Sequence, residues 1–384
     1  MALSAGLAFR KRWAFWSEWV WLCVITLSFW NGPEMPLLLP CAFVLLAVSG
    51  PVLTSGFTRS SKCLPDYSQE YARLAESPGA SPACKLMLGR SGVSYFLSAD
   101  KKSGIAYRVV LGVALLAGSF SGPPEGAEPC LTQFRCFADA NGWSLAGLLW
   151  EDKYRPAWEA CQLRAVPMGD EALVRPAVLL SSLPKSLRNA YAKVAREGGT
   201  VSFGEPPYAN RDLAVLKGVS AQWLTIPGKR DWQFPHGGLA EANLKHMAVA
   251  VLRNAAGNPQ AFLSYALSPT ERDASIDLMR HTPSVPSGAM DALICALCKH
   301  VAERGCMTLS LGLAPFSGHR VGAPEGVGLR WIFGPAFRGL RSYKQKFNPS
   351  WEPQYLIYEG SGLEFLRLGC ALAMAILIDI GPHS

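Results

Sequence analysis

The sequence predicts an α+β protein of two successive mixed units, preceded by a pair of membrane-spanning helices. Three observations support this: two long apolar runs at the N-terminus, short β-branched strands between Gly and Ser, and helical segments that end at Gly. The 384 residues exceed one ordinary domain. A hydrophobic content of 49% and a mean hydropathy of +0.14 are high for a purely water-soluble protein. We therefore expect part of the apolar content to lie in a membrane.

The first 54 residues form the predicted membrane anchor. Residues 13–30 and 37–53 are apolar runs at the short end of the length that spans a bilayer, and Glu18 is the only charge in either. The intervening Asn-Gly-Pro-Glu-Met-Pro at 31–36 predicts a tight turn, and therefore a helical hairpin. Cations flank one side of it, at Arg10, Lys11, Arg12, Arg59 and Lys62. By the positive-inside tendency this side is cytoplasmic, and the second run disfavours the alternative of a cleaved signal peptide.

A polar stretch separates the hairpin from the first folded unit. Residues 55–82 are rich in Ser, Pro and Gly, which predicts a linker with one short helix at 67–75. Within the first unit, 83–168, we expect strands at 86–88, 93–97 and 105–116 and a helix at 133–142. We interpret 105–116 as a buried strand pair rather than a third membrane span, because the charged Arg108 lies within it.

The second unit, 169–360, again mixes helices and strands. A helix at 183–197 is expected to end at Gly198-Gly199, where residues without a side chain can take positive φ. Further elements are strands at 260–266, 275–279 and 307–311 and a helix at 290–304. The final segment, 361–384, holds an apolar run at 363–380. This run predicts a helix that packs on the domain or lies at the bilayer surface.

The cysteines indicate reduced thiols. Eleven of them are scattered through apolar contexts, which is typical of an intracellular protein rather than of a disulfide framework, so we expect no structural disulfide. Cys295-Ala-Leu-Cys298 lies within a helical pattern and lacks a second pair at zinc spacing. We therefore interpret Cys295 and Cys298 as core residues and expect no bound metal.

The charge balance indicates anionic partners. The net charge is +8, and residues 1–54 hold three cations and two carboxylates, which leaves +7 for the remainder. A basic domain tethered to a bilayer favours lipid headgroups, nucleic acid or both.

Asp277 and Arg280 are the best candidates for catalysis. If 275–279 is a strand, the Asp277 carboxylate points away from its apolar neighbours and can face a cleft. A carboxylate can accept a proton or bind an ammonium group, and a guanidinium can stabilise an oxyanion. A structural ion pair between Asp277 and Arg280 is the alternative.

A basic and aromatic segment follows. Residues 326–351 contain no acid, and cations alternate with rings there. The candidate binding residues are Arg341, Tyr343, Lys344, Lys346 and Trp351. Cations neutralise phosphate and aromatic rings stack on bases, so this pattern predicts a binding site for the single-stranded end of a nucleic acid. Arg188, on the predicted helix at 183–197, is a further candidate, and core aromatics and a solvated helix are the alternatives.

Three segments, in this order, resemble the C-terminal domain of the bacterial phosphatidylglycerol lysyltransferases and alanyltransferases. They are Ser-Ile-Asp-Leu-Met-Arg at 275–280, Leu-Gly-Leu-Ala-Pro-Phe-Ser-Gly at 311–318 and Gly-Leu-Arg-Ser-Tyr-Lys-Gln-Lys-Phe-Asn-Pro-Ser-Trp-Glu-Pro at 339–353. The resemblance is weak from about residue 83 and strong over 273–358. It implies two tandem acetyltransferase-like (GNAT) domains, 83–168 and 169–360.

The resemblance also implies an activity and a location. Such a protein would move an amino acid from aminoacyl-tRNA onto phosphatidylglycerol, without a cofactor. It would lie at the bacterial inner membrane, with the catalytic domain facing the cytoplasm.

Roles for the candidate residues follow from the same resemblance. Asp277 would accept a proton or anchor the ammonium group of the amino acid, and Arg280 would stabilise the tetrahedral oxyanion. The family signature Lys-x-Lys-Phe-x-Pro-x-Trp-Glu-Pro matches at 344–353. It implies contacts to tRNA or lipid phosphate from Arg341, Tyr343, Lys344, Lys346 and Trp351. Arg188 matches a Leu-Arg element of the family.

The segment 318–339 departs from the family pattern. It is shorter and lacks the acid that precedes Gly-Leu-Arg, which bears on activity and on the amino acid carried. An acyl-CoA-dependent acyltransferase of the same fold is one alternative, but the chain lacks the Arg/Gln-x-x-Gly-x-Gly/Ala loop that would hold a CoA pyrophosphate. A non-catalytic lipid- or RNA-binding relative is the other. The sequence predicts neither the amino acid nor the acceptor lipid.

Overall fold

The computed structural model describes residues 65–118, 120–229, 231, 234, 238–315 and 339–360, together with 368, 369, 371, 372 and 375. The predicted transmembrane hairpin at 1–54 and most of the shortened segment at 318–339 lie outside these residues. Among the helices described, none is long and apolar enough to cross a bilayer.

Strands and short helices alternate along the described chain. In chain order the strands are β1 (Ser94–Leu97), β2 (Gly104–Val110), β3 (Val113–Ala117), β4 (Ser144–Glu151), β5 (Arg164–Val174), β6 (Thr200–Gly204), β7 (Ala248–Arg253), β8 (Pro259–Leu267), β9 (Asp273–His281), β10 (Thr308–Pro315) and β11 (Ser350–Tyr358). The α-helices are α1 (Ser68–Ala75), α2 (Pro82–Leu86), α3 (Ala127–Asn141), α4 (Arg155–Ala160), α5 (Pro176–Ser181), α6 (Lys185–Arg196), α7 (Asn210–Leu224), α8 (Glu241–Leu244), α9 (Ala289–Glu303) and α10 (Leu340–Gln345).

These strands form one sheet in the order β1-β2-β3-β4-β11-β5-β10-β9-β8-β7-β6. The first half of the chain contains β1–β4 and the second half contains β6–β10. Each half contributes antiparallel strands, followed by a helix and a parallel strand. In the first half this unit is β3, α3 and β4, and in the second half it is β9, α9 and β10. The mixed sheet confirms the predicted α+β class and agrees with two acetyltransferase-like halves.

The two halves exchange strands where they meet. β11, which follows the second half in the chain, lies between β4 and β5. It pairs with β5 from Ser350↔Leu173 to Tyr358↔Arg164. β5, which follows the first half, pairs on its other side with β10. The predicted domain boundary at 168/169 falls within β5, and the division into two domains stays a prediction.

The parallel strands β9 and β10 pair over only three residues, up to Ser310↔Ser275. Past Ser310, β10 shifts its register against β5, and Gly312 has a φ of +78°, a left-handed conformation that favours glycine. From there on, β9 is paired with β8 and β10 with β5. The sheet is therefore open between β9 and β10 beyond this point.

Side chains pack on both faces of the sheet. One face carries a core shared by the two halves under α1, α2, α7 and α8, in which Tyr71 and Phe262 are fully buried. The opposite face carries two separate cores, one with α3 and α4 and one with α6 and α9. Four of the five described residues of the C-terminal run are buried in the shared core: Leu368, Ala371, Leu372 and Ala375. This burial supports the predicted packing of 363–380 on the domain.

Most predicted elements are confirmed within a few residues. Residues 105–116 form the buried hairpin of β2 and β3, and α6 is followed by Gly198 at a φ of +72°. Cys295 and Cys298 are buried in the core with α6 and α9, as interpreted from the sequence.

The strand predicted at 86–88 is wrong. Pro82 begins a short helix instead, and the Ser81 hydroxyl caps its first turn by accepting a hydrogen bond from the Ala83 amide at 3.3 Å. The apolar run Leu86-Met87-Leu88 is buried against the sheet as the end of α2 and the turn after it. A short apolar run does not by itself distinguish a strand from a buried helix.

Candidate active site

Asp277 lies on β9 and forms a buried ion pair with Arg90, from the loop after α2. Arg90 Nη2 donates to both carboxylate oxygens at 2.8 Å. The side chain of Arg90 is 4% exposed and that of Asp277 is 0% exposed. Arg90 Nε also donates to the carbonyl of Leu86. The pair therefore ties α2 to β9.

Arg280, also on β9, has a separate set of partners. Its guanidinium donates to the Ser220 hydroxyl and to the Asp231 carboxylate, and it lies 4.8 Å from the centre of the Trp223 ring. Ser220 and Trp223 both belong to α7. Asp277 and Arg280 thus each have a charge partner of their own, and their predicted catalytic roles stay predictions.

A cleft of about 370 Å³ is lined by residues of α2 and β9, the elements that the Arg90–Asp277 pair connects, but Arg90, Asp277 and Arg280 do not line it. It lies beside α2 and crosses β4, β11, β5, β10 and β9 near the point where β9 and β10 separate. Leu86, whose carbonyl binds Arg90, lines this cleft, and so does Ser275, two residues before Asp277. Its charged lining residues are Glu151, Glu171, Asp273, Glu352 and Lys153. With four carboxylates against one ammonium, the cleft attracts cations.

Glu171, on β5, is held by side chains from two other strands. It accepts hydrogen bonds from the Ser310 hydroxyl on β10 and from Nε2 of Gln354 on β11, the latter at 2.7 Å. Gln354 is 2% exposed. These three strands are neighbours because β5 and β11 are exchanged between the halves. The strand exchange therefore builds this part of the cleft.

Lys344, on α10, is buried at 3% exposure. Its ammonium donates to the carbonyls of Gly312 at 2.8 Å and Leu313 at 2.7 Å, on the irregular part of β10. Burial lowers the pKa of Lys344 to about 7, and the Glu171 carboxylate partly opposes this shift. The position does not support the predicted phosphate contact. Lys344 instead fixes the backbone of two residues that line the cleft.

Two other cations of the basic and aromatic segment pair with acids and rings. Arg341 forms an ion pair with Asp170 and lies 4.0 Å from the centre of the Trp351 ring. Lys346 forms an ion pair with Asp291 at 3.1 Å. These side chains are half-exposed, at 35% for Arg341 and 41% for Lys346, so both remain accessible to a ligand.

A second cavity, of about 490 Å³, lies between α6, the start of α9 and α10. Lys193 of α6 lines it together with Tyr343 and Lys346, and the Lys346 ammonium lies 4.8 Å from the centre of the Tyr343 ring. Arg188 is exposed on the same helix as Lys193. The structure therefore brings Lys193 of α6 next to Tyr343 and Lys346 of the basic and aromatic segment, whereas Arg188 does not line this cavity.

Sequence reasoning missed Arg90, Glu171 and Gln354. Arg90 is 187 residues from Asp277, and Gln354 is 183 residues from Glu171. Contacts over such separations depend on the order of strands in the sheet, for which a single sequence holds no direct signal. The available hint was Glu171 itself, an acid within a predominantly apolar strand.

Comparison with known proteins places this chain in a family. The family model of the phosphatidylglycerol lysyltransferase C-terminal region matches residues 71–358. The phosphatidylglycerol lysyltransferase of Bacillus subtilis is 26% identical over 276 residues, which cover 69% of this chain and 32% of that protein. The chain therefore spans about a third of the length of this curated relative.

Two solved structures share the fold. A protein from Agrobacterium fabrum, described as the C-terminal domain of a lysylphosphatidylglycerol synthetase, is 26% identical, with a TM-score of 0.72 over 82% of this chain and 98% of that one. The structure of L-PGS from Bacillus licheniformis is also 26% identical, with a TM-score of 0.72 over 81% and 97%. The sequence match and the shared fold agree, and the chain belongs to the phosphatidylglycerol lysyltransferase C-terminal family.

Proposed function

We propose that this chain transfers an amino acid from aminoacyl-tRNA to a hydroxyl of phosphatidylglycerol or a related membrane lipid. The observation that carries the proposal is an acid-lined cleft between the halves of a chain from this family. An aminoacyl group bears at least one ammonium, which such a cleft attracts. A CoA thioester carries a pyrophosphate that the four carboxylates would repel, so the cleft argues against the acyl-CoA alternative.

The proposed reaction is an ester exchange. The lipid hydroxyl oxygen bonds to the aminoacyl carbonyl carbon, and the bond from that carbon to the terminal ribose oxygen of the tRNA breaks. The proton passes from the lipid hydroxyl to the ribose oxygen. The protein must supply a group that moves the proton and a cation that stabilises the tetrahedral oxyanion.

We assign the proton transfer to Asp277 and the stabilisation of the oxyanion to Arg280. Each of these side chains is held in the buried contacts described above. Because Arg90 binds both oxygens of Asp277, the carboxylate can act as a base only when Arg90 moves away. With Arg90 in place, the pair instead holds together α2 and β9, both of which contribute residues to the cleft. Arg280 similarly reaches an oxyanion only if it gives up one of its contacts to Ser220 or Asp231.

The side of the second half that carries α6 and α10 is the proposed tRNA surface. Its cations would neutralise phosphates and its rings would stack on bases. The residues are Arg188, Tyr343, Arg341, Lys346 and Trp351. Lys344 contributes indirectly, through its hold on the β10 backbone.

We further propose that residues 13–53 anchor the protein in the bacterial inner membrane. The apolar runs and their cationic flanks support this topology, with two acetyltransferase-like domains, 83–168 and 169–360, on the cytoplasmic side. A reporter fused to the C-terminus is expected to be active in the cytoplasm. Activity confined to the periplasm would contradict the topology.

The test of the activity is a lipid analysis of cells that express the full chain. Their extracts are expected to contain a new ninhydrin-positive phospholipid, absent from cells that express Arg280→Ala. Membranes from the same cells are expected to form it from aminoacyl-tRNA and not from an acyl-CoA, and ribonuclease treatment should stop its formation. Well-expressed protein that forms no such lipid with either lysyl-tRNA or alanyl-tRNA would refute the proposal.

A further inference from the structure

β6 is the last strand at one end of the sheet, and the described residues pair with it on one side only. Its register against β7 is regular from Thr200↔Arg253 to Gly204↔Val249. The strand reads Thr-Val-Ser-Phe-Gly, without a charge, a Pro or a bulge. Edge strands of monomeric proteins usually carry one of these devices, which prevent pairing with another chain. β6 is therefore an unprotected edge that can accept a further strand.

A groove of about 370 Å³ lies next to this edge, lined by residues of β6, α6 and α9. Val201 and Phe203 of β6 line it, and the Phe203 ring stacks on His300 of α9 with 3.9 Å between the ring centres. Tyr191 of α6 also lines the groove and is 42% exposed. His300 Nε2 is buried and has no hydrogen-bond partner among the described residues. Buried polar atoms are nearly always paired, so the groove, like the edge, lacks a covering group in the part of the chain that the structure describes.

The charges at the groove are self-complementary. Among its lining residues, one cation and one carboxylate are charged at pH 7, Lys299 and Glu303, and both are exposed on α9. Burial lowers the pKa of His300, which is therefore neutral at this pH. A second copy of the same groove, turned by a two-fold rotation, can set each charge against its opposite. A partner of one sign would be repelled by one of the two groups.

The strand can also pair with its own copy. In an antiparallel pair centred on Ser202, Thr200 lies opposite the partner's Gly204, and Val201 lies opposite the partner's Phe203. A β-branched residue opposite an aromatic ring is a favourable cross-strand pair. Because Val201 and Phe203 line the groove, these contacts would cover it as well as the edge.

We infer that two copies of this chain associate by antiparallel pairing of their β6 strands, about a two-fold axis at Ser202. Two-fold symmetry places the α1 helices of both copies at the same height along the axis, so the linkers that lead into α1 can reach one bilayer. β6 lies outside the strands that the acid-lined cleft crosses, and pairing therefore leaves that cleft open.

This association goes beyond the proposed transfer reaction, but it uses the proposed membrane anchor. An anchor confines the copies to one plane and raises their effective concentration. Pairing of two short strands can then be populated in the membrane.

Cysteine cross-linking in cells that express the full chain tests this geometry. In the proposed pair the two Ser202 Cα atoms lie about 5 Å apart, which suits a disulfide. Thr200→Cys is the matched control, because Thr200 is also exposed and lies on the same strand. Its Cα would lie about 13 Å from that of the partner's Thr200, too far for a disulfide. After oxidation with copper phenanthroline, Ser202→Cys is expected to form several-fold more covalent dimer than Thr200→Cys or wild type.

Like charges at the axis provide a test without an added cysteine. Ser202→Lys places two ammonium groups opposite each other, whereas Thr200→Lys places each one opposite a glycine. Both positions are exposed, so both variants are expected to fold. Energy transfer between dye-labelled full chains in phosphatidylglycerol vesicles measures association. Ser202→Lys should lower the association constant about threefold, and Thr200→Lys should associate as wild type does.

The inference is overturned if Ser202→Cys forms no more covalent dimer than Thr200→Cys or wild type, since random collisions cross-link exposed positions alike. The same result is expected if β6 pairs with a peptide or with another protein. Equal association of the Ser202→Lys and Thr200→Lys variants also overturns it. Failure of the proposed function looks different: the covalent dimer forms through Ser202→Cys, yet no aminoacylated lipid appears.

Discussion

Arg90 and Asp277 are 187 residues apart in the chain, yet one guanidinium nitrogen of Arg90 lies 2.8 Å from both carboxylate oxygens of Asp277. Neither side chain is more than 4% exposed, so water screens their attraction poorly. The pair links the α2 loop in the first half to β9 in the second half. It therefore joins the halves on one face of the sheet, in addition to the strand exchange.

Breaking this pair is expected to destabilise the protein strongly. Arg90→Met and Asp277→Asn should each cost about 3–5 kcal/mol in the free energy of unfolding, because each leaves a buried charge without its partner. The double variant Arg90→Met with Asp277→Leu should regain part of that loss. Urea denaturation followed by tryptophan fluorescence measures the effect. The control Glu197→Gln, in an exposed pair with Lys193, should cost about 0–1 kcal/mol, and equal losses at both sites would contradict the assigned link.

Arg280→Ala is expected to lower the rate of lipid aminoacylation on the order of a hundredfold or more, as for the loss of an oxyanion partner. Because Arg280 is buried against Asp231, some loss of stability is expected as well. The informative measurement is the rate per folded molecule, with the folded fraction taken from circular dichroism. A loss in rate that matches the loss in folded fraction would leave Arg280 with a structural role alone.

The buried Lys344 makes stability depend on pH. Its folded-state pKa of about 7 lies below its ordinary value of 10.5, so between these two values the unfolded chain binds more protons than the folded one. The folded state is therefore penalised fully below pH 7, and the penalty is relieved as pH rises towards 10.5. The stability of wild type relative to Lys344→Met should increase by about 2 kcal/mol between pH 7 and pH 9.

Urea denaturation at both pH values measures this difference. Lys217→Met, at a side chain that is 59% exposed, is the matched control and should follow the wild-type curve. A difference between wild type and Lys344→Met that stays constant with pH would show that the lysine is not desolvated in solution.

The proposed tRNA surface predicts a change in salt dependence. Arg188→Ala, Arg341→Ala and Lys346→Ala should each weaken aminoacyl-tRNA binding and reduce the slope of log affinity against log salt by about one. Maximal rates should be recovered at high tRNA concentration. Kinetics at two ionic strengths test this, with Lys217→Ala as the control. Variants that lose maximal rate with unchanged affinity and slope would assign this surface to catalysis or structure.

The C-terminal residues are expected to stabilise the shared core. Leu372 is 4% exposed, and Leu372→Ala should cost about 2–5 kcal/mol in the free energy of unfolding. Truncation after Glu359 should uncover the apolar surface that Leu368 and Leu372 bury, lower the melting temperature and raise the binding of a hydrophobic dye. A truncated chain with wild-type melting and solubility would show that this packing has no role.

Local patterns predicted most of the fold because helices and turns depend on nearby residues. The end of α6 at Gly198 needs only a residue that adopts positive φ, and the burial of β2 and β3 follows from their continuous apolar runs. Placing Asp277 on a strand at 275–279 needed only the alternation of side chains, and the strand observed extends further, to include Arg280. The partners of these residues, Arg90 and Asp231, depend on how distant segments pack, and no local pattern encodes that.

Lys344 shows the same limit. A lysine within a basic segment is ordinarily solvated, and the sequence therefore predicted a phosphate contact. The irregular part of β10 offers two carbonyls that accept hydrogen bonds from this ammonium, and α10 places the side chain against them. That arrangement depends on a register shift between β10 and β5. The amino-acid composition near Lys344 does not predict such a shift.

The exchange of β5 and β11 has a consequence for synthesis on the ribosome. β4 is complete at Glu151 and pairs with β3 on one edge, but β11, which pairs with its other edge, begins only at Ser350. While the intervening chain is being made, β4 presents an open edge to other nascent chains, and open edges pair readily. Fragments that stop before Ser350 are therefore expected to aggregate, even though they contain every residue of the first half.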